Sequence, residues 1–201
     1  MLREDRPRSY VTGAIANRMK SRPVDWDRFF EENGQPLFWH RSAHDLMASA
    51  DFLWTEVAAG YAEMSTAHAR HEHPSASAFE RGRHSFSALL LSGYGTENLL
   101  KAIRLQQRLR TGPLPIVAGK LDKYFKTHKL PKLATDTGFS KKPEDDALLR
   151  LLEKTILWAG KYPVPLTAES GEVFRVSASY DRPRVREFFD RLDGYYAALP
   201  K

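Results

Sequence analysis

The residues of this chain best suited to chemistry are one histidine, one glutamate and a set of basic side chains spaced along what read as helices. His128 stands in Lys123-Tyr124-Phe125-Lys126-Thr127-His128-Lys129, flanked by lysines. An imidazole titrates near neutral pH, so it is the side chain fitted to take a proton from a hydroxyl, and a nearby cation can neutralise a phosphate. His128 is therefore the candidate base, with Lys123 as a catalytic cation and Glu97 as a third member of the site. Glu97, Lys101, Arg104 and Arg108 recur three, four and seven residues apart, which places them along one line of a helix. Lys101, Arg104, Arg108, Lys126, Lys129 and Lys161 are the candidate phosphate-binding residues. The plainer reading of Glu97 and Lys101 is an i, i+4 ion pair, and that of Lys161 in Lys161-Tyr162-Pro163 is a helix stop signal.

A second group is rich in histidine. His40 and His44 share a helix face, and His68, His71, His73 and His84 lie in or beside a following polar loop. Two histidines at i and i+4 can hold one metal ion, with Glu72 or Asp45 completing the set. Most such clusters are simply solvated, and the HExxH pattern is absent because Arg41 follows His40. The expectation is no metal and no cofactor.

Charge supports an anionic partner. The formal net charge is +6, but residues 81–132 carry eleven Lys or Arg against Glu97 and Asp122, whereas residues 35–80 carry two bases against six acids. Clustered positive charge attracts phosphate and releases its counterions, so RNA or nucleotide phosphate comes first among partners. There is no cysteine, which removes thiolate chemistry, disulfides and cysteine zinc sites. The first residues lack the apolar core of a secretory signal and no apolar run approaches bilayer length, so no membrane partner and a cytoplasmic location are expected.

These groups must be positioned by helices. Residues 1–34 read as a partly mobile arm with an aromatic cluster at Trp26, Phe29 and Phe30, and residues 35–201 as one helical domain. Apolar residues from Leu37 through Leu46, Met47, Leu53, Trp54, Val57, Tyr61 and Met64 form a helical stripe behind Pro36, which suits a first turn. The stretch Phe79 to Arg110 reads as one long helix ending at Thr111-Gly112-Pro113. Pro113 to Gly119 is then a linker and Leu121 to Lys126 a short helix, with Thr127 capping another turn or two. Pro143-Glu144-Asp145-Asp146 opens a helix whose stripe is Leu148, Leu149, Leu152, Ile156 and Leu157. Val173 to Val176 alternates, suggesting a surface β-hairpin at about 164–179, and Asp181 caps a last helix with Pro183 in its first turn. Mid-helix Gly93 and Gly95 are expected to permit a close helix crossing. The expected fold is all-α, an up-and-down bundle of four to five helices with that small hairpin.

The order of these signals resembles a known family. Ala-x-x-Leu-x-Gly-Tyr-x-x-Glu-x-x-Leu-Lys-Ala spans Ala88 to Ala102, Thr-His-x-Leu spans Thr127 to Leu130, and Lys-Tyr-Pro spans Lys161 to Pro163. Together they resemble the HEPN superfamily of helical-bundle domains over roughly Pro36 to Pro163. The resemblance implies a bundle that forms homodimers, an association with toxin–antitoxin pairs, anti-phage defence or RNA processing, and a small nucleotidyltransferase as a frequent partner. Ribonucleases of that family carry Arg, four to six residues, then His. None of the nineteen arginines here stands at that distance before any of the seven histidines, and Lys123 takes the place before His128. Lysine lacks the planar fork of arginine. A binding or accessory role is therefore the first expectation, a metal-independent endoribonuclease using His128 the second, and a protein-interaction module the third.

Overall fold

The computed structural model describes residues 28, 34–112, 116–117, 120–121, 123–159 and 176–200. It is an all-α helical bundle. The helices are α1 (Pro36–Ala69), α2 (Ala76–Gly82), α3 (Ser85–Leu109), α4 (Leu130–Asp136), α5 (Asp145–Lys154) and α6 (Ala178–Ala198). Pro36 occupies the first turn of α1, behind Gln35 in an extended conformation. At its far end His71 takes φ 56°, and Glu72 N–H reaches back to the Ala67 carbonyl at 2.8 Å. That is the six-to-one bond of a left-handed helix stop, with histidine where glycine is usual.

α3 is the central helix. It packs on α1, α4, α5 and α6, and buried residues occur all round it, from Ala88 and Leu89 to Leu99, Leu100, Ile103 and Leu105. Its two glycines make this possible, as the sequence leads one to expect. A Cβ on Gly95 would lie 3.1 Å from the Ala43 carbonyl of α1, and one on Gly93 would lie 2.9 Å from Ile156 Cγ1. Across the same seam Trp54 Nε1 donates to Ser92 Oγ at 3.3 Å. Met47, Ala50, Trp54 and Val57 of α1 meet Leu148, Leu149 and Leu152 of α5 and Val185, Phe188, Phe189 and Leu192 of α6 in one core. Burial of these apolar side chains is the main force holding the helices together.

Several boundaries differ from expectation. The stretch Phe79 to Arg110 is two helices, because the chain turns at Arg83 and His84. α2 is pressed onto α1 at Gly60, where a Cβ would stand 2.7 Å from the Ala78 carbonyl, so the chain must leave that contact before α3 can cross α1 at Gly95. Ile116–Val117 and Lys120–Leu121 pair as a short antiparallel hairpin in place of the expected linker, and Leu121 belongs to a strand where a helix was expected. A 3₁₀ turn follows at Lys123–Lys126, and Lys129, not Thr127, occupies the N-cap position of α4, without a side-chain capping bond. Most of the hairpin expected at 164–179 lies outside the described residues, as does all of the N-terminal arm except Arg28 and Gly34. α6 begins three residues before Asp181, which accepts the Ser177 N–H at 2.7 Å and so still serves the helix start. Leu37, Tyr61 and Leu157 are exposed, not core.

α5 opens two residues later than its sequence suggests, with Pro143 before the helix, Glu144 at the N-cap position and Asp145 and Asp146 in the first turn. Asp145 Oδ2 accepts the Lys142 N–H at 2.6 Å, while Oδ1 accepts from Arg191 of α6 at 2.6 Å, which ties the two helices together. The helix continues into a π-helical turn at Thr155–Ala159.

Candidate functional site

Glu97 lies in the middle of α3, on the part of that helix covered from all sides, and is 3 % exposed. A carboxylate in such a place must be compensated, because removing charge from water is costly. Two partners meet it. Lys101, also 3 % exposed, sits one turn on and brings Nζ to 2.5 Å from Oε1. His128 comes from the loop before α4, 31 residues away in sequence, and brings Nδ1 to 2.8 Å from Oε2. Lys101 Nζ also lies 5.5 Å from the ring centroid of Trp39 in the first turn of α1, a cation–π distance, and Trp39 in turn leans on Phe125 at 6.1 Å.

The loop carrying His128 is anchored on both sides. Phe125 and Leu130 are buried, and Thr127 Oγ1 accepts the Lys129 N–H at 3.2 Å. Glu153 of α5 accepts a hydrogen bond from the backbone of Leu130. Burial pushes the Glu153 carboxyl above its ordinary value, only partly offset by that bond and by the charge of Lys129.

This geometry selects a tautomer. A carboxylate only accepts hydrogen bonds, so the proton of a neutral His128 ring sits on Nδ1 and the lone pair on Nε2. With the side chain 41 % exposed, the ring is held at Nδ1 by Glu97 and is partly open to solvent. An imidazole oriented in this way by a buried carboxylate has the geometry a general base requires.

The expected site residues therefore divide. Glu97 and His128 are brought together. Lys101, expected to bind phosphate, does not face solvent. It is buried, and its charge is spent on Glu97. The line Glu97, Lys101, Arg104, Arg108 runs from interior to solvent, with Arg104 half-buried and donating to Gln107 at 3.4 Å, and Arg108 exposed. Lys126 and Lys129 are exposed on either side of His128. The side chain of Lys123, and Lys161 altogether, lie outside the described residues.

Two residues escaped the sequence reading. Trp39 lies one turn before Ala43 on the buried line of α1, and that spacing was the available signal. Asp193 had none. It stands on α6 and joins His40 and His44 of α1, accepting at Oδ1 from His40 Nε2 at 2.7 Å and from His44 Nε2 at 3.0 Å. Neither Glu72 nor Asp45 takes part in this group. Burial pushes the Asp193 carboxyl up, but the bonds from His44 and His40 and their charge outweigh it, and the net position is below the ordinary value. Burial, then the Asp193 charge, raises the neighbouring Tyr196 hydroxyl.

Among the described residues no helix is long and apolar enough to cross a membrane. No family model matches this chain, and no curated protein or solved structure matches it either.

Proposed function

We propose that this chain is a HEPN-like protein that binds RNA by its phosphates and cuts it without a metal ion, with His128 as the base. The observation that carries the reading is the 2.8 Å bond from His128 Nδ1 to a carboxylate that is itself buried and neutralised by Lys101. That bond leaves Nε2 to take the proton of a ribose 2′-hydroxyl, whose oxygen then attacks the adjacent phosphorus and displaces the 5′-oxygen of the next nucleotide, which takes a proton from solvent water as it leaves. Lys126 and Lys129 flank the imidazole and supply positive charge for the phosphate. Trp39, half-buried beside Lys101, offers a ring on which an unpaired base can stack.

The second reading is RNA binding without cleavage. Its support is specific: the cation nearest Glu97 is buried, and lysine stands where the family's ribonucleases carry arginine. His128→Ala separates the two. Under the catalytic reading this variant keeps its fold and nearly all its RNA affinity but loses cleavage in EDTA. A wild-type protein that binds RNA and never cuts it establishes the accessory role in its place.

The homodimer implied by the family resemblance has a candidate seam at Phe52, 68 % exposed, which with Leu53 of α1 and Leu91 of α3 lines a shallow apolar groove. Light scattering on the wild type and Phe52→Glu tests it, the variant being expected as a monomer. A small nucleotidyltransferase partner and a role in defence rest on the resemblance alone.

A further inference from the structure

His40 and His44 stand one turn apart on α1, so both rings leave the same face of that helix. Asp193 meets them from α6, and the two Nε2 atoms and the carboxylate oxygen all lie within 4.8 Å of one another. We propose that His40, His44 and Asp193 form a binding site for a divalent transition-metal ion, zinc(II) being the ion of choice. This site is separate from the His128 site and rests on no part of the RNA reading.

Two imidazole nitrogens and one carboxylate oxygen are a donor set that zinc accepts, with bonds of about 2.0–2.2 Å and a tetrahedral preference. In such a tetrahedron neighbouring donor atoms are roughly 3.3 Å apart. Asp193 Oδ1 already stands 2.7 and 3.0 Å from the two nitrogens, so along those two edges the carboxylate needs to part from the rings by only a few tenths of an ångström, and the third edge is within 4.8 Å. Coordination replaces the two Nε2–H···O bonds, and the proton of each neutral ring moves to Nδ1.

The rings are also held in place. His40 stacks on Tyr196 with centroids 4.4 Å apart and planes at 19°, and His44 meets the ring of Phe189 edge-on at 5.3 Å and 79°. Both supporting aromatics come from α6, the helix that supplies Asp193. Metal binding therefore asks for little reordering, which is what usually limits affinity at sites built from mobile side chains. The three side chains are 23 %, 41 % and 32 % exposed, so an ion can enter, and three protein ligands leave a fourth position for water or an anion. The ion would staple the first turns of α1 to the last turns of α6.

The test uses the full chain stripped with EDTA, then dialysed free of it, and titrated with zinc by calorimetry and with cobalt(II) by visible absorption. One ion per chain is expected, with a rise in melting temperature of about 5–10 °C at a hundredfold excess over Kd. His44→Ala and Asp193→Asn should each weaken binding at least about tenfold. His71→Ala combined with His73→Ala, which removes loop histidines able to bind zinc adventitiously, should leave it unchanged. Absence of zinc uptake by the wild type overturns the proposal, and so does uptake that survives His44→Ala but disappears with the loop variant. Should Asp193→Asn fail to fold, the wild-type cobalt spectrum decides: tetrahedral ligand-field bands support the site, and a spectrum no different from free aqueous cobalt refutes it.

Discussion

Replacing Glu97 by glutamine tests the buried part of the His128 site. The substitution keeps the size of the side chain and removes its charge, leaving the Lys101 ammonium 3 % exposed with no carboxylate beside it. Breaking a buried pair in this way costs about 3–5 kcal/mol. Trp39 recovers little of that, since a cation–π contact of this kind is worth about 0.5–2 kcal/mol and is already present in the wild type. For a chain of this length the loss corresponds to a fall in melting temperature of about 6–20 °C. Urea denaturation followed by circular dichroism should show the midpoint fall with no change in slope. Lys101→Met should be costly for the complementary reason, as it strips Glu97 of its buried counter-charge. The double variant Glu97→Gln/Lys101→Met holds neither charge, so its loss should be smaller than the sum of the two single losses by about 2–3 kcal/mol. Additive losses, or a Glu97→Gln protein within about 1 kcal/mol of wild type, would refute the claim that this pair is a desolvated, mutually dependent unit.

Other outcomes follow from the same structure. RNA affinity should fall steeply with salt, and Lys126→Ala with Lys129→Ala should lower the slope of log K against log salt by about 1.4, from roughly 0.7 for each of two lost contacts to single-stranded RNA. An unchanged slope would remove those lysines from the interface. Glu153 has its folded-state value raised, so the folded form holds the proton more tightly. The stability it contributes is complete below the ordinary glutamate value and declines as pH rises through the raised one. Glu153→Gln should therefore flatten the fall in stability over that mildly acidic range, and a variant whose stability still tracks pH as the wild type does would show that another group is responsible. Gly60→Ala drives a methyl to 2.7 Å from a backbone carbonyl and should cost about 1–3 kcal/mol in urea unfolding, whereas a neutral result would mean that α2 moves freely off α1.

Much of the architecture is legible in local pattern. Pro36, the acids opening α5 and the paired Gly93 and Gly95 each announce an element or a crossing through chemistry that acts within a few residues. The break at Arg83 and His84 has only Gly82 beside it as a local signal, and glycine is carried inside the next helix at Gly93 and Gly95 without ending it. The break is imposed by the contact of α2 with Gly60, some twenty residues earlier. The same division runs through the sites. The i, i+4 pairing of Glu97 with Lys101 follows from helix geometry, but helix geometry does not say whether the pair faces solvent. Only the packing of four elements around α3 buries it. His128 reaches Glu97 across 31 residues, and Asp193 reaches His44 across 149, distances over which a single sequence carries no pairing signal. Trp39 was within reach, since it falls on the line Ala43, Met47, Ala50, Trp54, yet the exposed Leu37 drew the stripe one position off.

The claim that His128 deprotonates a ribose 2′-hydroxyl is tested most directly by incubating the purified protein in EDTA with an end-labelled RNA and with the same strand lacking every 2′-hydroxyl. The account predicts that the RNA is cut, that the fragments end in a 2′,3′-cyclic phosphate, that the deoxy strand survives, and that His128→Ala cuts neither. Cleavage of the deoxy strand, RNA cleavage that persists in His128→Ala, or no cleavage of either strand by the wild type would contradict it.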